Sequence, residues 1–179
     1  MTAVAMGIFL ATIDGSIVNI ALPTLQIDLQ TSFSMVQWVV LGYLLTIAVL
    51  LLSIGRWADM VGKKRIYTVG YAIFTTGSLI CGMSTSIGML IAARIFQAIG
   101  GAMMMALGTA IITENFPASE RGMALGISGL MVSLGIIAGP TLGGLILGSL
   151  TSHCIFFVNL PIQVISAYLV IKIVPDIIP

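Results

Sequence analysis

Charge is the scarcest property of this sequence. Of 179 residues only 7% are charged, seven of them basic and six acidic. Soluble domains are about one quarter charged, so this chain cannot cover a globular surface with polar groups. With 59% hydrophobic residues and a mean hydropathy of +1.17, its solvent must be lipid. A net charge of +1 gives no basic field, so nucleic acid is not an expected partner. One histidine and two cysteines, Cys81 and Cys154, are too few and too scattered for a metal site. The cysteines fall near the same end of their helices, so a disulfide is conceivable, but inert buried thiols are the simpler reading. There are no paired catalytic carboxylates, no nucleophile with a base and no phosphate-binding loop, so the chain does not read as an enzyme and needs no cofactor. The first apolar run has no basic leader region and no cleavage site, and is read as a retained helix.

What is present is a series of long apolar runs. A spanning helix needs about 20 mostly apolar residues. Six such spans are expected, at about 3–22, 35–54, 66–83, 88–112, 122–147 and 154–174, within one domain covering 1–179. The expected fold class is therefore an all-α membrane protein, a six-transmembrane-helix bundle. Trp38 reads as an interfacial anchor, and Pro23 as the end of the first span. If the spans alternate, Arg56, Lys63, Lys64, Arg65, Arg121 and Lys172 all fall on one side. The positive-inside rule places that side, and both termini, in the cytoplasm. A multi-pass protein of a prokaryotic cytoplasmic membrane is expected, with the lipid bilayer as its first partner.

Two charges lie inside the spans. Asp14 sits about 16 Å in from the start of its helix, and Arg94 about 20 Å from the same membrane face. Each is costly alone and each is the other's natural counter-ion. Two readings stand: a fixed pair that sets helix register, or a proton-coupling pair in which Asp14 binds the proton and Arg94, always charged, tunes it. Gln97, three residues after Arg94, shares its face and can join the site, or simply bond two helices. Asn19, Tyr43 and Gln97 are candidates for lining a substrate cavity. In the fifth span Gly122 and Gly126, and then Gly135, Gly139 and Gly143, recur at intervals of four, with Gly144 adjacent, a spacing that lets helices approach closely. Pro140 removes a backbone donor there, so a kink or hinge is expected. Between the second and third spans lies the only dense charge cluster, Gly55 to Arg65. There Asp59 can complement the start of a helix, and Glu114 can pair with Lys63, Lys64 or Arg65.

Taken together, these stretches resemble the major facilitator superfamily, in particular its drug:proton antiporter branch with fourteen helices, which includes multidrug resistance efflux proteins. Asp14 to Pro23 resembles the branch's first-helix motif. Gly55 to Arg65, with Asp59, Gly62, Lys63 and Lys64, resembles the superfamily signature between helices two and three. Arg94, Gln97 and Gly100-Gly101 match the fourth-helix motif, and Gly135 to Gly144 with Gly139-Pro140 the antiporter motif of the fifth. Ile155 to Pro161 is similar to the start of helix six. Trp57, Met60, Ile13, Ser16, Ser152 to Cys154 and Gln163 depart from the usual residues. The resemblance implies alternating access, export of amphipathic organic compounds driven by a proton gradient, proton-related roles for Asp14 and Arg94, and a cytoplasmic gate containing Asp59. A metabolite transporter of the same superfamily and a non-transporting six-helix subunit are the alternatives. Full members have two six-helix halves around one cavity, and this chain corresponds to the amino-terminal one. A carboxy-terminal half or a second copy is the implied partner, and a partial chain is the favoured explanation.

Overall fold

The computed structural model describes residues 2–173, so Met1 and residues 174–179, the two ends of the expected domain, lie outside it. Six helices follow one another: α1 Thr2–Asp28, α2 Phe33–Val61, α3 Lys63–Gly82, α4 Ile87–Asn115, α5 Arg121–Ser149 and α6 Cys154–Ile173. Among the described residues there is no strand. Ser32 and Ser86 cap α2 and α4, each accepting a hydrogen bond from the backbone N–H three residues on. Among the described residues five helices are long and apolar enough to cross a membrane. The exception is α3, whose run of Thr, Gly, Ser and Tyr lowers its hydropathy. It still lies in the bundle, packed along α4 on one side and α6 on the other.

Two boundaries differ from the sequence reading. The first helix does not stop at Pro23 but runs on to Asp28. Proline removes a backbone donor and its ring crowds the carbonyl four residues back, but Leu25, fully buried, holds the extra turn in the core. Likewise the charged cluster is not a loop. Its first part, Gly55 to Val61, is the last part of α2, and Gly62 alone links α2 to α3. Gly62 has φ 108 and ψ 124, a conformation open to glycine and strained for any side chain.

α1 and α4 are the enclosed helices, 61% buried over their apolar windows, against 22% for α2 and α5. The exposed faces of α2 and α5 are apolar, carrying Leu44, Leu45, Val49, Leu52, Leu130 and Ile137. Such faces require lipid or another protein surface. The interior divides into two apolar clusters. One, built on Leu10, Tyr67, Phe74, Leu107 and Ile111, lies toward the end that carries the basic residues; the other, built on Ile17, Val18, Leu25, Val36 and Leu90, lies toward the far end. At the far end the turns are tied together. Ser152 donates to Asp28, and a His153 ring nitrogen lies 2.8 Å from the Ser84 carbonyl. Cys81 and Cys154 are both free thiols.

The glycine series of α5 splits in two. Gly135, Gly139 and Gly143 face α1, and a Cβ at Gly135 would lie 3.0 Å from Thr12 Cβ and 3.1 Å from the Ile13 nitrogen. Gly122, Gly126 and Gly144 have no such neighbour within 4 Å, so the interval of four does not mark one continuous contact. The physical reason is direction and position: Gly144, next to Gly143, points away from α1, and Gly122 and Gly126 lie more than two turns before Gly135. At Pro140 the helix continues without interruption. The carbonyl that Pro140 leaves without its helical donor is that of Ile136. Ser16 of α1 donates to that oxygen at 3.0 Å, so the expected weak point is stitched to its neighbour.

Overpacking a tight interface costs about 1–3 kcal/mol. Gly135→Val should therefore lower the thermal midpoint in detergent by that equivalent, while Gly144→Val, which meets open space, should leave it unchanged; equal effects would show that α1 and α5 do not touch as described.

Candidate functional site

Asp14 and Arg94 meet where the two apolar clusters adjoin. Arg94 Nη1 donates to Asp14 Oδ2 at 2.5 Å, and both residues are fully buried. Their helices run in opposite senses, and the registers bring the two charges to one height. Gln97, one turn on from Arg94, accepts from Arg94 Nη1 at 2.7 Å through Oε1 and donates to Asp14 Oδ1 at 3.1 Å through Nε2. Asn159 of α6 donates to the same Asp14 oxygen at 3.2 Å. Ser78 of α3 accepts from Gln97 at 2.8 Å and from Gln163 of α6 at 3.0 Å. Arg94 Nε donates to the Val39 carbonyl of α2 at 3.3 Å. Every helix except α5 thus contributes a group.

This cluster needs close approach. A Cβ at Gly77 would lie 2.7 Å from Gln97 Cα, so α3 can press Ser78 against Gln97 only because residue 77 has no side chain. Aromatic rings cover the guanidinium. Arg94 Cζ sits 4.1 Å from the centre of the Tyr43 ring and 5.9 Å from that of Phe156. Tyr43 Oη in turn donates to the Ala11 carbonyl at 3.4 Å.

Beside the cluster an open groove of about 370 Å³ runs between α1, α2, α4 and α5, lined among others by Gly15, Ser16, Asn19, Tyr43, Met105 and Ile136. Asn19 and Tyr43 are therefore where a cavity-lining role would need them. Gln97 is not; it is fully buried and spends its amide on Asp14, Arg94 and Ser78. Tyr43 belongs to both environments, with its ring over Arg94 and an edge in the groove.

The sequence reading did not single out Ser78, and one serine in an apolar span carries no signal. Asn159 and Gln163 did carry one: two amides at i and i+4 in a bilayer helix mark a shared buried face.

At the basic end Lys63 contacts Glu114 and lies 3.1 Å from Asp59. Glu114 thus joins the start of α3 to the end of α4. Asp59 faces Lys63 across Gly62 and remains largely exposed. Arg65 is exposed, and Gly55 has no neighbour within 4 Å on its open side. The hydrogen bond that Lys63 donates to Glu114 and, after a smaller opposing effect of burial, the one it donates to Asp59 hold the Lys63 ammonium above the ordinary lysine range.

Two expectations follow. Removing one member of a buried ion pair costs about 3–5 kcal/mol, because the other charge is left uncompensated. Asp14→Asn and Arg94→Met should each lower the thermal midpoint, and the double variant should recover much of the loss; additive losses would mean that the pair is not coupled. A lysine pKa raised on folding adds stability at neutral pH that is lost as pH rises through the folded value. Glu114→Gln should blunt that alkaline loss, seen as a shallower fall of the midpoint with pH, while costing no more than about 1 kcal/mol at pH 7 for so exposed a pair.

The comparisons with known proteins agree with this architecture. A profile of the Major Facilitator Superfamily matches residues 4–178. The riboflavin transporter RibZ of Clostridioides difficile is 44% identical over 96% of this chain and 38% of its own length. The multidrug resistance protein Stp of Mycobacterium tuberculosis is 38% identical over 98% of this chain and 33% of its own. Among solved structures, a bacterial homolog to the human lysosomal transporter Spinster superposes with a TM-score of 0.85 at 20% identity, covering 98% of this chain and 43% of that one. This chain therefore spans well under half the length of the relatives it matches. A bundle of apolar helices organised around an intramembrane Asp–Arg pair, matched over nearly its whole length, belongs to the Major Facilitator Superfamily.

Proposed function

We propose that this chain forms the amino-terminal half of a secondary transporter that exports drugs or other amphipathic organic compounds in exchange for protons. The observation that carries the proposal is the buried Asp14–Arg94 pair, one aromatic ring away from an open groove. The groove has one wall in this chain, and alternating access requires a second. A carboxy-terminal six-helix half, or a second copy, would supply it against the apolar faces of α2 and α5. The basic end faces the cytoplasm by the positive-inside rule, and the bacterial relatives fit a cytoplasmic membrane.

The chemistry follows from the geometry. With Asp14 ionised, its charge holds Arg94 in place beneath Tyr43. Protonation removes that charge, and the guanidinium, which stays cationic, must find another partner. Tyr43 is the part of the groove wall that would register its movement. A substrate cation in the groove and the proton on Asp14 would then compete through Arg94 and Tyr43. The pair thereby serves as a proton switch, Arg94 as its tuner, and Asn19 and Tyr43 as substrate contacts. The Lys63, Asp59 and Glu114 group would latch the cytoplasmic end in one of the two states, and the α5 segment of Gly135, Gly139, Pro140 and Gly143 would hold α1 as the halves rock.

One relative favours a narrower cargo. The most identical of the relatives reported above is named a riboflavin transporter, and a planar heteroaromatic metabolite would suit a groove edged by Tyr43. Reconstitution in vesicles separates the readings. The chain is tested alone and with a carboxy-terminal half under an imposed proton gradient, following efflux of a lipophilic cation and of riboflavin. Flux of the cation is expected only with both halves, and Asp14→Asn should reduce it by at least about a hundredfold, the scale of losing a positioned proton carrier. Equal flux in Asp14→Asn would end the proton-coupling reading, and flux of riboflavin alone would select the metabolite carrier.

A further inference from the structure

Polar side chains do not stop at Asp14. They continue from it toward the basic end, along the seam where α1, α3 and α6 meet. On α6 the buried polar residues Asn159, Gln163 and Ser166 form one stripe at intervals of four and three. On α3 the matching stripe is Ser78, Tyr71 and Tyr67. Gln163 donates to Ser78 at 3.0 Å. The Tyr71 hydroxyl adjoins Ser166 and Tyr67, and the Tyr67 and Tyr71 rings stand edge to face at 5.5 Å. Tyr67 Oη donates to the Val4 carbonyl at 3.2 Å. Gly7, two turns before Asp14 on the same face of α1, leaves the space for these hydroxyls; a Cβ there would come within 2.7 Å of Tyr71 Oη. Val4 lies ten residues before Asp14, about 15 Å along the helix. The file thus covers the depth from the charged pair to within a turn of the start of α1.

This seam is not the groove. The groove lies on the side of α1 that carries Thr12, Gly15, Ser16 and Asn19, facing α2 and α5. The seam lies on the side that carries Gly7 and Asp14, facing α3 and α6. The apolar alternative would be cheaper in a bilayer, where hydroxyls and amides gain nothing from burial alone. Three polar atoms in the seam, the amide oxygens Asn159 Oδ1 and Gln163 Oε1 and the hydroxyl Ser166 Oγ, are fully buried and have no hydrogen-bond partner. Acceptors of this kind are the usual hosts of internal water.

We propose that this seam is the route by which Asp14 exchanges its proton with the compartment at the basic end, separate from the groove that takes the substrate. It rests on the reading of Asp14 as the proton-binding group. Each hydroxyl in the file accepts a proton on its oxygen and passes its own O–H proton to the next acceptor. Water held by the Gln163 and Asn159 amide oxygens takes the proton on from Ser166 toward Asp14, which Asn159 touches. In the last transfer that water breaks one of its O–H bonds to form an O–H bond on the Asp14 carboxylate and takes up the proton arriving from Ser166, so one proton enters and one is held, with no electron transfer. Arg94 keeps its charge throughout. The other titratable groups facing Asp14 are Tyr43 from α2 and Cys81 from α3; α6 presents Asn159, and α5 has no titratable side chain beyond Arg121 at its start. Tyr67, Tyr71 and Ser166 are positioning and relay residues, and none of them touches the substrate groove.

The test uses the chain reconstituted in vesicles and sorted for orientation. A pH step is applied at the basic end, and protonation of Asp14 is followed by its carboxylic acid infrared band, identified by its loss in Asp14→Asn. Tyr71→Phe and Ser166→Ala each remove one hydroxyl and little volume, and either serves if the other fails to fold. Each should slow protonation by about tenfold or more while leaving the equilibrium midpoint of the band where it is in the parent chain. A purely structural role would move the midpoint or the thermal stability and not the rate. Protonation at the parent rate in both variants would overturn the route while leaving Asp14 as the proton site. Absence of any Asp14-dependent band across the titration would overturn the proton-binding reading, and the route with it.

Discussion

The bundle depends on one electrostatic match. A carboxylate and a guanidinium, each prohibitive alone in hydrocarbon, can stay in the interior only if they stay together and most of their remaining hydrogen-bonding groups are used; Arg94 Nη2 is the one group of the pair left without a partner. That condition reaches into five helices. Gln97 and Asn159 take up one oxygen of Asp14, Val39 offers Arg94 its carbonyl, and Tyr43 covers the guanidinium face. Packing then follows the charges. The apolar clusters at the two ends adjoin where the pair lies, and α1 and α4, which carry it, are the two most enclosed helices.

The division of labour among the helices has the same origin. α1 has a different neighbour on each side. One face meets α5 through Gly135, Gly139 and Gly143, and another faces the polar seam with α3 and α6. α2 and α5 leave apolar surface unsatisfied within this chain. Affinity between lipid and such a face is as good as between two such faces, so shape, more than hydrophobicity, would have to select the partner half.

Much of this was legible in the sequence, because in a bilayer the cost of a charge is large enough to make single residues informative. Asp14 and Arg94 could be paired from their depths alone, and Glu114 could be assigned to the lysine cluster from the topology. Other features were not. Helix ends are set by small differences, so neither the extra turn beyond Pro23 nor the helical state of Gly55 to Val61 shows in a hydropathy pattern. Gln97 was equally compatible with a cavity wall and with the buried network, since one helical face serves both until the neighbours are placed. Ser78 acquires meaning only because Gly77 brings α3 against Gln97. The glycines of α5 look alike in sequence, and only knowing which face of α5 meets α1 tells Gly139 from Gly144.

The bond from Ser16 to the Ile136 carbonyl has a mechanical consequence. While Ser16 answers the oxygen that Pro140 strands, α1 and α5 behave as a keyed joint: they can tilt as one plate, but sliding one past the other by even a residue uncovers that oxygen. A rocking motion would carry this joint along intact, whereas a screw or piston motion of α1 would have to break it at every stroke.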